Sequence, residues 1–104
     1  VVTDAPAERV RVEATIRGRV QGVGFRYFVL REALDLDLEG WVANGPDGTV
    51  RCVVEGPRGR VNVLVELLRT GPPGGRVDDV AIDVLAPTGR LGPFTVRSGT
   101  HPGD

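Results

Sequence analysis

Gly18-Arg19-Val20-Gln21-Gly22-Val23-Gly24-Phe25-Arg26 is the stretch on which the reading of this chain turns, because the hydropathy period changes across it. On its N-terminal side Val10, Val12, Ala14 and Ile16 alternate with Arg9, Arg11, Glu13, Thr15 and Arg17, the pattern of a strand with one buried and one wet face. On its C-terminal side Phe25, Phe28, Val29, Ala33 and Leu36 fall on one helical stripe. A glycine-punctuated loop therefore delivers a strand into a helix N-terminus. Backbone N–H groups in such a loop point one way, and the helix dipole adds partial positive charge there. Arg26 adds a full charge and a planar fork of donors that suits a tetrahedral oxyanion. Gln21, Gly22, Val23, Gly24, Phe25 and Arg26 are thus a candidate phosphate cradle. No Gly-Lys-Ser/Thr follows, so it is not a Walker loop, and the glycine spacing is wrong for a dinucleotide fingerprint. A bare phosphate or a small phosphorylated compound fits better than a nucleotide.

Working outward, a second strand is expected over 39–45, turned back by Pro46-Asp47-Gly48 into a third over 48–55 with Val50, Cys52 and Val54 on one face. Gly56-Pro57 opens a second helix with a stripe of Val61, Leu64, Val65 and Leu68, ended by Thr70 to Gly75. Val80, Ile82 and Val84 alternate in a fourth strand, Pro87 to Pro93 form a loop, and Phe94 to Val96 make a last short strand. Residues 1–8 read as a flexible leader and 98–104 as a flexible tail, with one domain over 9–97. The order β-α-β-β-α-β predicts an α+β fold of the ferredoxin-like, split β-α-β kind: an antiparallel sheet with both helices on one face.

Composition narrows the function classes. The 104 residues carry 13 basic side chains, all arginine, against 14 acidic ones, so a net charge of −1 gives no global field for nucleic acid. The expected third strand also lacks the exposed aromatics on which an RNA-recognition sheet stacks bases. No apolar run approaches the length that spans a membrane. The lone Cys52 excludes an internal disulfide and favours a reducing, cytoplasmic compartment. It alternates with core positions, which makes it a small core residue and not a nucleophile. His101 is the only histidine and lies in the tail. Asp78 and Asp79 are adjacent on a strand and so face opposite ways, leaving no cluster to hold a metal. Trp41 reads as packing.

A second block, Gly40-Trp41-Val42-Ala43-Asn44 with Gly48-Thr49-Val50 and Gly56 at fixed spacing, accompanies the first. Together the two blocks resemble the acylphosphatase family. The first family motif is met from Ile16 through Arg26 and the second from Gly40 to Gly56. The likeness runs on through Gly71-Pro72-Pro73 and Arg76-Val77 to Phe94, over roughly residues 9–97. It implies hydrolysis of acyl phosphates to carboxylate and inorganic phosphate, without cofactor or metal, by a monomer whose product phosphate also inhibits it. It implies that Arg26 and the amides of residues 21–26 bind the phosphoryl group and that Asn44 orients the attacking water. On position alone, Arg26 fits equally well a surface arginine paired with Glu55 or Asp47, and Asn44 fits a turn-capping residue. Two departures stand out. Leu36-Asp37-Leu38 replaces the usual Leu-Gly-Leu at a helix end, and Gly45 replaces a larger apolar residue beside Asn44. The alternative is a related domain inside a larger, carbamoyl-phosphate-processing hydrogenase maturation protein. Those carry Pro after the Phe-Arg, where this chain has Tyr27.

Overall fold

The computed structural model describes residues 8–98. Its elements run β1 (Arg9–Arg19), α1 (Phe25–Asp35), β2 (Glu39–Asn44), β3 (Val50–Pro57), α2 (Arg58–Thr70), β4 (Arg76–Leu85) and β5 (Thr95–Arg97). The five strands form one sheet in the order β4-β1-β3-β2-β5. The domain is α+β, with two helices and a mixed sheet. The expectation of a wholly antiparallel sheet needs correction, because β5 runs parallel to β2, pairing Trp41 with Thr95 and Ala43 with Arg97. The cause is the route of the chain. Residues 86–94 pass from the end of β4 beneath the sheet to its far edge, so β5 starts level with the start of β2.

Strand alternation sorts the side chains onto two faces. Val10, Val12, Ala14 and Ile16 of β1 and Val50, Cys52 and Val54 of β3 are buried against Val29 and Ala33 of α1 and Val61, Leu64 and Leu68 of α2. Cys52 is fully enclosed there, and burial pushes its thiol up to about 12, so it stays protonated and inert. The stripe read from β4 fares differently. Ile82 is 37% and Val84 55% exposed, because β4 is an edge strand whose second half extends past the helices; only Val77 and Val80 pack on the core. Glu8, assigned to the leader, is also engaged: its carbonyl accepts the Arg58 amide at 2.8 Å and its carboxylate meets Arg58 Nε at 2.7 Å, tying down the start of α2. The remaining leader, the tail beyond Ser98 and His101 lie outside the described residues.

Helix α1 ends as the Leu-Asp-Leu departure suggested. Asp37 adopts φ 56°, the one non-glycine residue with positive φ among the described residues. Its amide donates to Leu34 O and the Leu38 amide to Ala33 O, both at 3.0 Å, the paired bonds of a Schellman ending.

Candidate active site

The sheet has two polar ends. At one of them the ends of β1, β2 and β5 meet the start of β3, and the loop 20–24 rises there into α1. Gly22 (φ 75°) and Gly24 (φ 78°) are both left-handed, and a Cβ at either position would touch nothing within 4 Å. Glycine is thus needed for conformation and not for space. The first helical bond is Phe28 N–H to Gly24 O, so the amides of Phe25, Arg26 and Tyr27 precede the intrahelical ladder. Left-handed turns just ahead of a helix start give the loop the geometry of a candidate anion nest. The Phe25 ring is buried and meets Phe28 edge-on at 6.1 Å, and Val23 packs on the core. Their side chains anchor the loop; only their backbone faces the nest.

The Gln21 side chain is not directed at an anion. Its Nε2 donates to Gly45 O and Thr49 O, each at 2.8 Å, stapling the loop to the β2–β3 turn. Asn44 is the last residue of β2, beside that staple. The turn after it is capped by another residue. Asp47 Oδ1 accepts the Thr49 hydroxyl at 2.6 Å and the Thr49 amide at 3.2 Å. Those bonds, with Arg17 3.9 Å away, hold the Asp47 carboxyl below its usual range. Asp47 thus caps this turn from within it. A Cβ at Gly45 would lie 2.6 Å from Thr49 Oγ1 and 2.9 Å from Asp47 Oδ1, so that departure accommodates the same capping bond.

Arg26 sits one residue into α1, and its Nη1 donates to the Arg97 carbonyl of β5 at 3.2 Å. The carboxylates named as rival partners are taken: Glu55 by Arg11 at 2.8 Å, Asp47 by Thr49. Sequence reasoning missed the open face next to this end. Trp41 is half-buried there and not in the core. The Arg97 guanidinium lies over its ring, 4.6 Å from the centroid. The available signal was alternation, which sets Trp41 and Ala43 opposite Val53 and Arg51, off the core face. No group of three or more His, Cys, Asp and Glu able to hold a metal occurs among the described residues, and no described helix is long and apolar enough to cross a membrane.

The fold is thus a split β-α-β sandwich with a glycine-rich loop at a helix start and an asparagine at the adjoining strand end. The acylphosphatase family model matches residues 12–96. An acylphosphatase of Anaeromyxobacter dehalogenans is 46% identical over 91 residues, covering 88% of this chain and 98% of its own length. The crystal structure of acylphosphatase from Bacillus subtilis superposes with a TM-score of 0.82 at 36% identity, covering 85% of this chain and 98% of that one. A segment amounting to 12% of T. kodakarensis HypF is 33% identical, with a TM-score of 0.75 over 86% of this chain. The chain belongs to the acylphosphatase family.

Proposed function

We infer that this chain hydrolyses acyl phosphates, and that Arg26 and the amides of residues 21–26 grip the phosphoryl oxygens while Asn44 orients water for in-line attack. The observation that carries the site assignment is the coupling of nest and asparagine. Gln21 bonds the nest loop to the carbonyls on either side of the turn that follows Asn44, which fixes phosphate and water sites relative to each other. The leaving group is a stable carboxylate, so positioning and charge stabilisation suffice. No side chain beside the nest is suited to be a general base; a phosphoryl oxygen of the substrate takes the proton from water as the P–O bond to the acyl group breaks. The protein is read as a cytoplasmic monomer, inhibited by its phosphate product. The domain-in-a-larger-protein alternative draws only on the HypF match, and Tyr27 speaks against it.

The test compares benzoyl phosphate with phenyl phosphate, before and after dialysis against a chelator. The anhydride should turn over far faster, with no loss on chelation. Comparable rates on both would remove the acyl phosphate assignment, and restoration of a lost rate by magnesium would expose a metal step.

A further inference from the structure

A groove of about 240 Å³ opens at the same end of the sheet, between β2 and β5, with Trp41, Ala43, Asn44, Arg51 and Arg97 in its wall. Two features set it apart. Among the described residues its wall holds two guanidinium groups and no carboxylate. Among the described residues no hydrogen bond or ion pair engages the Arg51 side chain, whereas Asp47, which lines the adjoining hollow with it, bonds Thr49 and faces Arg17. Arg97 is held in place by stacking on Trp41, which uses the face of the guanidinium and leaves its in-plane donors available.

The groove also adjoins the strand end that carries Asn44. Register places Ala43 opposite Arg51 on the open face of the sheet, and Asn44, opposite Val50, closes the groove at its rim. An acyl group lodged over Ala43 would therefore lie next to a phosphoryl group held at the strand end.

We propose that this groove receives the acyl half of the substrate, and that Arg51 and Arg97 select acyl phosphates carrying a second anionic group on the acyl chain. The proposal rests on the hydrolase reading above and adds the substrate class. Water adds to phosphorus, the P–O bond to the acyl group breaks, and the acid leaves as a carboxylate still held at its far end by the two arginines.

The test measures kcat/KM for 4-carboxybenzoyl phosphate and for its uncharged counterpart 4-methylbenzoyl phosphate, in the wild type, Arg51→Gln and Arg51→Lys. Arg51 is exposed on β3, so folding is not at stake. The wild type should favour the carboxylated substrate. In Arg51→Gln the ratio of the two should fall about three- to tenfold, the scale of one solvent-accessible guanidinium–carboxylate contact, and Arg51→Lys should recover part of it. An identical ratio in wild type and Arg51→Gln would overturn the selectivity while leaving the hydrolase intact. Failure of the wild type on both substrates would overturn the hydrolase reading and the selectivity with it.

Discussion

The two ends of the sheet are both rich in charge and behave in opposite ways. At the lower end Glu55 is fully buried on the open face of β3, yet every claim on it is met. It accepts the Thr88 amide at 3.0 Å, the Thr88 hydroxyl at 2.9 Å and the Gly89 amide at 2.9 Å, and it pairs with Arg11 at 2.8 Å. Burial alone would push this carboxyl up; the amides, hydroxyl and guanidinium outweigh it and hold it at about 2. At the upper end, by contrast, the nest loop presents amides ahead of the helical ladder, and among the described residues the groove wall has guanidinium groups with no carboxylate. The lower end is a closed polar network that fastens the β4–β5 crossing. The upper end gathers donors: amides at a helix start and the guanidinium groups of the groove wall. Satisfied charge fastens the fold at one end, and an excess of donors characterises the other.

The contrast is most exposed to failure at Asn44. Asn44→Ala should lower kcat roughly a hundred- to a thousandfold, a loss of about 2.7–4 kcal/mol of transition-state stabilisation, with phosphate inhibition and melting nearly unchanged. A folded variant with near-normal kcat would strip the asparagine of its role. At the other end the signs reverse. The folded pKa of Glu55 lies below the 4.5 of an unperturbed glutamate, so its contribution is complete above about pH 4.5 and is lost as the pH falls toward 2. That contribution is on the order of 3 kcal/mol. Urea unfolding across this range should show the loss in the wild type and a flatter profile in Glu55→Gln, whose folded fraction should keep its rate. A Glu55→Gln enzyme that is stable but slow would collapse the distinction between the two ends.

Smaller effects sharpen it. Arg26→Lys keeps one charge and loses the fork, so phosphate inhibition and substrate binding should both weaken about tenfold. Competitive inhibition by phosphate that survives unchanged in this variant would put the anion elsewhere. Asp37→Gly, far from either network, relieves a left-handed non-glycine residue and should raise stability by up to about 1 kcal/mol without touching the rate. Among the described residues its charged partner is Arg60 at 3.9 Å. A lower melting temperature would show that this contact outweighs the backbone strain.

Much of the upper end was legible because it is written locally. The change of period at Phe25, the spacing of Gly22 and Gly24, and Asn44 before its turn each depend on neighbours within a few residues, as does Asp37 at the other end of α1. The lower end was not legible. Alternation puts Glu55 on the open face, where an acid is expected to be wet. What buries it is the crossing at Thr88 and Gly89, far along the chain, and no local pattern announces that. The same blindness explains Val84: its alternation with Ile82 is sound, but coverage by a helix is a tertiary fact. Arg51 and Arg97 belong to strands whose adjacency passes through β2, so their shared groove appears only once the sheet is assembled.

The strand order also bears on how the protein is made. Only β2 and β3 are neighbours both in sequence and in the sheet. β1, synthesised first, pairs with β3 and then with β4, where Arg11 meets Leu85. Closing such distant pairs costs loop entropy before any contact repays it, so folding should be slow for a domain of this length. A nascent chain released up to Leu85 already has its four long strands and both helices. It still lacks β5, and with it the carbonyl that meets Arg26 and the guanidinium over Trp41. Arg26 and Trp41 should therefore gain these contacts only after the bulk of the fold, when a three-residue strand docks on the edge of β2.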